Sequence, residues 1–154
     1  MSKELEEGDK APEISLSTDT GDPFVLSSLL GKNVILYFYP KADTPGCTKE
    51  ACDFRDHSKK FAKANTVIVG VSPDTSPAQL KFKTKFDLPF TLLADKDHKA
   101  AEEYGVWKEK SMYGRKYMGI ERTTFVIDTN GTIKKIFPKV KVDGHAEEVL
   151  AAID

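Results

Sequence analysis

The stretch that decides the fold is Val34-Ile35-Leu36-Tyr37-Phe38-Tyr39-Pro40-Lys41-Ala42-Asp43-Thr44-Pro45-Gly46-Cys47-Thr48-Lys49-Glu50-Ala51-Cys52. Its first residues are apolar and rich in β-branched and aromatic side chains, which predicts a central strand over Asn33 to Tyr39. Pro40 should end this strand, because proline donates no hydrogen bond to a sheet. Thr44 suits the N-cap of a helix and Pro45 its first position. The stretch therefore predicts a strand, a short loop and a helix that carries both cysteines of the chain.

Cys47 falls at the third position of the predicted helix, within its first turn. Free backbone N–H groups and the helix dipole surround a first-turn side chain with partial positive charge. That charge favours a thiolate over a thiol, so we expect Cys47 to be a reactive nucleophile rather than a buried structural thiol. Ala51 and Phe54 follow Cys47 at helical spacing, so this face should point toward the body of the protein.

Cys52 lies five residues after Cys47, on a more polar face of the same helix. This spacing separates two Cα atoms by about 8–9 Å along an ideal helix, whereas a disulfide requires Cα atoms within about 7 Å. The two cysteines therefore cannot form a disulfide while the helix is intact. Our hypothesis is that the segment is helical when reduced and unwinds when the two thiols are bridged.

The remaining segments predict an α/β fold. An N-terminal hairpin, one short helical turn, alternating strands and helices, and a second hairpin are expected in this order: Ile14–Ser17 with Pro23–Leu26, Ser27–Leu30, the cysteine helix from Pro45 to Lys63, Thr66–Ser72, Ser76–Phe86 with Ser76 as cap, Thr91–Ala94, Asp95–Tyr104, a loop or small hairpin over 108–118, Thr123–Ile127 with Thr132–Phe137, and Ala146–Asp154. Parallel crossovers followed by a hairpin indicate a mixed sheet with helices on both faces.

Length and composition predict one domain over residues 1–154, with residues 1–7 flexible. The net charge of −1 argues against nucleic-acid partners, and no apolar run is long enough to span a membrane. The first residues hold no apolar signal-peptide core, so we expect a cytoplasmic location. A zinc site would need the side chains of Cys47, Cys52 and His57 to converge, but on a helix these three point in different directions, so we expect no metal. We also expect no cofactor.

Two groups of residues resemble a known family. The pattern Pro40-x-x-x-Thr44-x-x-Cys47 resembles the peroxiredoxin active-site signature, and Cys52 resembles the second cysteine of the bacterioferritin comigratory protein (PrxQ) subgroup. The segments Gly105-Val106-Trp107 and Gly119 to Asp128 are similar to later parts of that subgroup. The resemblance extends from about Gly8 to the C-terminus. It implies a thioredoxin-like fold and a thiol-dependent peroxidase that reduces hydrogen peroxide and organic hydroperoxides.

The resemblance also implies how the two cysteines work. Cys47 would attack the peroxide and become a sulfenic acid. Cys52 would resolve this acid to an intramolecular disulfide, which thioredoxin or a similar dithiol donor would reduce. The subgroup suggests a monomer or a weak homodimer, with no nucleic-acid or membrane partner.

Four other residues receive roles around the thiol. By resemblance, the Thr44 hydroxyl bonds the Cys47 thiolate and a peroxide oxygen, and Pro40 shields the thiolate from water. The resemblance aligns Arg122 with an arginine that stabilises the thiolate and the charge on the leaving oxygen. The amides of Gly46 and Cys47 lie at a helix N-terminus, where they are expected to donate to peroxide oxygens.

Two other functions remain open alternatives. A thioredoxin-like thiol–disulfide oxidoreductase normally uses Cys-x-x-Cys, and the four residues between Cys47 and Cys52 argue against it. A non-enzymatic redox sensor would use the same unwinding of the helix as a switch.

Overall fold

A seven-stranded mixed sheet forms the centre of the computed structural model, which describes residues 4–153. Its strand order is β2-β1-β5-β4-β3-β8-β9, and a separate two-stranded sheet pairs β6 with β7. The strands are β1 (Ser15–Thr18), β2 (Pro23–Val25), β3 (Asn33–Phe38), β4 (Thr66–Ser72), β5 (Thr91–Ala94), β6 (Trp107–Met112), β7 (Arg115–Ile120), β8 (Thr123–Ile127) and β9 (Ile133–Phe137). The helices are α1 (Pro45–Asp56), α2 (Ser58–Lys63), α3 (Ser76–Phe86), α4 (Lys99–Glu103) and α5 (His145–Ala152), with one 3-10 turn at Leu26–Leu29.

Strand β3 is an interior strand between β4 and β8, and nearly all of its side chains are buried. It pairs in parallel with β4 and antiparallel with β8, and β4 pairs in parallel with β5. Continuous apolar runs such as Val34–Phe38 are typical of strands covered on both faces. The predicted mixed sheet with flanking helices and an N-terminal hairpin, β1–β2, is confirmed.

The alternation of side chains along β3 divides the core into two layers. Val34, Leu36 and Phe38 face a cluster that includes α4 and the 3-10 turn. Ile35 and Tyr37 face the opposite cluster, which includes Cys47, Ala51 and Phe54 of α1, Phe61 of α2, Phe82 of α3, and Ala146 and Val149 of α5. The cysteine helix therefore packs on one defined face of the sheet.

The predicted single helix from Pro45 to Lys63 is wrong, because the chain breaks it at His57. The His57 N–H bonds the carbonyl of Phe54 at 3.2 Å, which tightens the last turn of α1. The His57 ring Nδ1 lies 2.8 Å from the carbonyl oxygen of Asp53, so the side chain competes for a helical carbonyl. Helix α2 then starts at Ser58 and buries Phe61.

Two other helix starts differ from the prediction. Thr75, not Ser76, caps α3, since its hydroxyl accepts the N–H of Ala78 at 3.3 Å. The helix predicted from Asp95 to Tyr104 is shortened to Lys99–Glu103. The Asp95 carboxylate accepts the N–H groups of Ala100 and Ala101 at 3.0 and 2.9 Å, so it acts as a remote cap.

Residues 108–118, for which the sequence predicts a loop or a small hairpin, belong to the hairpin β6–β7. Its two-residue turn is Tyr113-Gly114, and both residues have positive φ, 52° and 79°. Two positive φ values are what a type I′ turn requires, and that turn suits the twist of the flanking strands. Strand β7 ends at Ile120, and the next two residues, Glu121 and Arg122, lead into β8.

The predicted flexibility of residues 1–7 stays a prediction, and residues 1–3 lie outside the described part of the chain. The one-domain assignment likewise stays a prediction. Within residues 4–153, none of the helices combines the length and the apolar composition that crossing a membrane requires.

Candidate active site

The loop between β3 and α1 is held by the neighbouring strand end. The N–H of Ala42 bonds the Asp74 carboxylate at 2.8 Å, and the Ser72 hydroxyl donates to the same carboxylate oxygen at 2.6 Å. An ion pair of 2.9 Å joins Asp43 to Lys85 of α3. Pro40 is half-buried at the start of this loop. These contacts fix the path of the chain into the first turn of α1.

Thr44 occupies the N-cap position of α1, but its side chain does not cap the helix. Its hydroxyl donates to the carbonyl of Lys41 at 2.8 Å, and no first-turn N–H reaches it. The prediction of a side-chain cap is therefore wrong, although the helix begins where the sequence predicts. The Thr44 hydroxyl faces back into the loop, so its bond stabilises the turn rather than the helix end.

Cys47 is buried at the third helical position, and its sulfur contacts the guanidinium of Arg122. Only 1 % of the residue is exposed. Arg122 Nη2 donates to Cys47 Sγ at 3.4 Å, across 75 positions of sequence. A permanently charged donor stabilises a thiolate more than a thiol. Cys47 belongs to the core layer that also contains Tyr37, Ala51 and Phe54.

Glu50 shares the same guanidinium, and sequence reasoning missed it. Arg122 Nη1 donates to Glu50 Oε1 at 2.7 Å, while the other carboxylate oxygen is buried without a hydrogen-bond partner among the described residues. Burial raises the pKa of the Glu50 carboxyl from its ordinary 4.5 to about 7, although Arg122 opposes the shift. Near neutral pH the Glu50 carboxyl therefore changes between its charged and neutral forms, and the charge beside Arg122 changes with it.

Tyr37 carries a second buried polar atom in the same core layer as Cys47. Its hydroxyl has no hydrogen-bond partner among residues 4–153. Burial raises the pKa of the Tyr37 phenol well above its usual value, and the charges of Glu50 and Cys47 raise it further. The ring is seated against Gly70, where an added Cβ would lie 2.9 Å from Tyr37 Cζ. Buried polar atoms without partners are rare and concentrate at functional sites.

Gly46 leaves room for the arginine. A Cβ added at this position would lie 3.3 Å from Arg122 Nη2, closer than most real Cβ contacts. Glycine at the second helical position therefore has a steric reason that the sequence alone does not reveal. The geometry brings Gly46, Cys47 and Arg122 together, with Glu50 behind them.

Cys52 lies on another side of α1, as its position in the sequence predicts. It is half-buried, and both cysteines are free thiols. Both lie within the unbroken helix Pro45–Asp56. Their five-residue spacing keeps the Cα atoms about 8–9 Å apart in such a helix. A bond between them therefore requires the first turns of α1 to unwind.

One signal for Glu50 was present in the sequence. It follows Cys47 by three positions, so both side chains lie on the same side of a helix. No sequence signal pointed to Tyr37, because a tyrosine within an apolar strand is normally a core residue. Within residues 4–153, no three histidine, cysteine or acidic side chains are grouped so that they could hold a metal ion.

Comparison with known proteins identifies the class to which this fold and site belong. The model of the AhpC/TSA family matches residues 7–136. The chain therefore belongs to the AhpC/TSA family and is a peroxiredoxin, a thiol peroxidase of thioredoxin-like fold. Within that family its relatives are peroxiredoxins of the Bcp or PrxQ subgroup, so the resemblance stated from the sequence is confirmed.

Three of these relatives cover nearly the whole chain. Peroxiredoxin Bcp of Bacillus subtilis is 52% identical over 149 residues, which are 97% of this chain and 95% of the relative. A structure of a Xylella fastidiosa PrxQ variant has a TM-score of 0.91 at 34% identity and covers 97% and 96% of the two chains. The Xanthomonas campestris bacterioferritin comigratory protein, a structure described for its alkyl peroxide reduction activity, has a TM-score of 0.87 at 40% identity, with 91% and 89% covered.

Proposed function

We propose that Cys47 is the peroxidatic nucleophile of this enzyme. Its thiolate sulfur attacks the terminal oxygen of a hydroperoxide, the O–O bond breaks, and the sulfur takes the hydroxyl group to become a sulfenic acid. The remaining oxygen leaves with the bonding electron pair and accepts a proton, which gives water from hydrogen peroxide and an alcohol from an organic hydroperoxide. The 3.4 Å contact from Arg122 to Cys47 Sγ is the observation that carries this proposal.

The residues around the sulfur have separate roles in this step. Arg122 stabilises both the thiolate and the negative charge that develops on the leaving oxygen, because its two Nη groups can serve two anions at once. The amides of Gly46 and Cys47 lie at the helix N-terminus, where backbone N–H groups bind anionic oxygen. Pro40 excludes water from one side. The Thr44 hydroxyl, which bonds Lys41 in the resting site, turns to the peroxide oxygen when substrate binds.

Cys52 is the resolving cysteine in this proposal. Its thiolate attacks the sulfenic sulfur of Cys47, a disulfide forms, and hydroxide leaves to be protonated to water. Since the intact helix keeps the two residues apart, α1 unwinds before the bond forms. An external dithiol protein, thioredoxin or a similar donor, then reduces the disulfide and leaves with a disulfide of its own.

The proposal extends to the substrates, the location and the assembly of the enzyme. We propose hydrogen peroxide and organic hydroperoxides as substrates, supported by the alkyl peroxide reduction for which the Xanthomonas campestris relative is described. We propose a cytoplasmic location, because catalysis begins with two reduced thiols that an oxidising compartment would not maintain. The subgroup resemblance favours a monomer or a weak homodimer.

The test is NADPH-coupled peroxide consumption with thioredoxin and thioredoxin reductase, for wild type, Cys47→Ser and Cys52→Ser. We expect Cys47→Ser to lose turnover with every peroxide. Cys52→Ser should still oxidise once per molecule and lose turnover with thioredoxin. Full turnover in Cys47→Ser would remove the nucleophile assignment.

The same experiment separates the two alternatives. An oxidoreductase would reduce insulin disulfides rapidly and turn over peroxide slowly. A redox sensor would oxidise once and stop, even with thioredoxin and its reductase in excess.

A further inference from the structure

A chain of hydrogen bonds connects helix α3 to the loop that precedes Cys47. Its first member is Gln79, which is fully buried. The Gln79 Nε2 group donates to the carbonyl of Leu93 and to the Ser72 hydroxyl, at 2.8 Å each. The Gln79 Oε1 atom accepts from the Tyr39 hydroxyl at 2.6 Å. Because a carbonyl can only accept, the Leu93 contact fixes which end of the amide is the donor.

The Ser72 hydroxyl passes this connection to Asp74. A carboxylate can only accept, so Ser72 uses its one proton for Asp74 Oδ2, at 2.6 Å, and a lone pair for Gln79. The same Oδ2 atom accepts the N–H of Ala42 at 2.8 Å, across 32 positions of sequence. One carboxylate oxygen thus joins the end of β4 to the loop between β3 and α1.

The loop that receives this bond holds one residue in an unfavourable conformation. Asp43 has a φ of 61°, in the left-handed region that residues other than glycine rarely adopt. Such a conformation persists only where the surrounding structure enforces it. Two contacts from outside the loop do so, the bond from Ala42 to Asp74 and the ion pair of Asp43 with Lys85. The ion pair is exposed and screened by water, so the partly buried bond to Asp74 is the stronger of the two.

The same loop carries two residues of the proposed reaction. Pro40 precedes Ala42 by two positions, and Thr44 follows it by two. The Thr44 carbonyl accepts the N–H of Thr48 at 2.8 Å, a hydrogen bond at the start of α1. A displacement at Ala42 is therefore transmitted both to the groups that meet the peroxide and to the first turn of α1, which unwinds before the disulfide forms.

We propose that Asp74 is a positioning residue for the peroxidase reaction. Through Ala42 it holds the loop between β3 and α1 in the conformation in which Cys47 meets the peroxide, and it opposes the unwinding of α1 that the disulfide requires. Ser72 and Gln79 act through Asp74, because they fix the place of its carboxylate. This inference rests on the proposed function, since it assigns a role in the same two steps.

Two rate constants separate the two effects of Asp74. Oxidation of Cys47 by hydrogen peroxide is measured in the Cys52→Ser background, where no disulfide follows, by mass spectrometry of the trapped sulfenic acid. Disulfide formation is measured in the protein with both cysteines, by alkylation of the remaining thiols, at peroxide concentrations on which its rate no longer depends. The unfolding temperature of each variant is recorded alongside.

In Asp74→Ala, we expect oxidation of Cys47 to slow by about tenfold, since misplacement of a reacting group by about 1 Å costs up to a hundredfold. Disulfide formation should become about threefold to tenfold faster, because the start of α1 loses a hydrogen bond that opposes its opening. Ser72→Ala should change both rates in the same directions and by less, since the carboxylate stays. Asp74→Asn should keep both rates within about twofold of wild type, because Ala42 and Ser72 donate to a single oxygen that the amide also supplies.

Asp19→Ala is the matched control. The Asp19 carboxylate is buried and accepts the N–H of Leu92 at 2.9 Å, so it also joins two distant segments of the chain. Its hydrogen bonds go to Leu92 and to Lys83 rather than to the loop between β3 and α1. This variant should lose thermal stability and keep both rates.

Unchanged rates in Asp74→Ala, a fall in both, or the same pair of changes in Asp19→Ala would overturn the positioning role. Ser72→Ala leaves the carboxylate in place and decides the question should Asp74→Ala not fold: wild-type rates in that variant would overturn the role as well. If Cys47 did not react with hydrogen peroxide, or if Cys47→Ser consumed it as wild type does, the proposed function itself would fail.

Discussion

Cys47 and Cys52 are the same residue type on the same helix, yet their surroundings differ. Cys47 is buried at the first turn and accepts a hydrogen bond from Arg122. Cys52 is a half-buried free thiol in the body of the helix. Position in the helix and one distant guanidinium therefore distinguish Cys47, the proposed nucleophile, from Cys52, the thiol proposed to resolve it.

The first prediction concerns the protein in which Cys47 and Cys52 have formed a disulfide. In the disulfide form, amide exchange of residues 45–55 should rise by up to about a thousandfold over the reduced form, because about 4 kcal/mol of local opening free energy is lost. Exchange in β3 and β4 should stay unchanged and serve as the internal control. Equal protection of residues 45–55 in both forms would show that the helix persists, and resolution would then need another explanation.

The second prediction concerns a variant that lacks the Arg122 guanidinium, the group that contacts Cys47 but not Cys52. Arg122→Met should slow oxidation of Cys47 by about a hundredfold to a thousandfold, the size of other losses of one preorganised donor to an oxyanion. Arg122→Lys should recover part of this loss, since lysine supplies charge but not two fixed N–H donors. Arg115→Met, on the exposed strand β7, is the matched control. Single-turnover rates for Arg122→Met within threefold of wild type would argue against the contact.

The third prediction concerns the pH dependence of helix opening. Burial raises the pKa of Glu50 to about 7, so the intact helix binds a proton that an unwound helix releases above pH 4.5. The stabilisation is complete below pH 4.5 and is lost as pH rises to about 7. Opening of α1 should therefore become about tenfold or more favourable across this range. Arg122 and Asp53 are the charged groups that act on Glu50.

Amide exchange of residues 47–52 in Cys52→Ser checks this prediction without interference from disulfide chemistry. Exchange rates are divided by the intrinsic rate at each pH, which leaves the opening equilibrium. Adding Glu50→Gln should remove the dependence between pH 4.5 and 7. A dependence that survives in the double variant would assign it to a group other than Glu50.

The smallest expected effect comes from Gly46. In Gly46→Ala the new Cβ lies 3.3 Å from Arg122 Nη2, so the guanidinium that contacts Cys47 must shift by a few tenths of an ångström. We expect oxidation of Cys47 to slow by about threefold to tenfold, since misplacement of a catalytic group by about 1 Å costs up to a hundredfold. Alanine is the better helix former, so thermal stability should not fall. A rate equal to wild type would show that the arginine tolerates the methyl group.

The sequence predicted the central strand, the start of α1 and the orientation of both cysteines, because all three depend on local signals. It missed the break at His57, where a side chain bonds the carbonyl of Asp53 instead of letting the helix continue. It also extended α4 back to Asp95, since a carboxylate that caps a helix four residues away leaves no local pattern. Local propensity is overridden wherever a side chain competes for backbone hydrogen bonds.

Arg122 could be assigned to the site only from the family resemblance, not from its own sequence context. Nothing in its neighbourhood distinguishes it from a surface arginine, and only the family pattern indicates that it approaches Cys47. The structure adds what the pattern does not contain, namely that Glu50 accepts from the same guanidinium and that Gly46 makes room for it.

The sequence by itself determined that a thiol stands at the first turn of a helix behind a central strand, because strand pattern, proline and helix-start residues are adjacent in the chain. Only the tertiary structure decided what that thiol meets. Arg122 is 75 positions away from Cys47, and it arrives beside the helix because β8 pairs antiparallel with β3. Contacts over such separations depend on packing of the whole sheet, which no local pattern encodes.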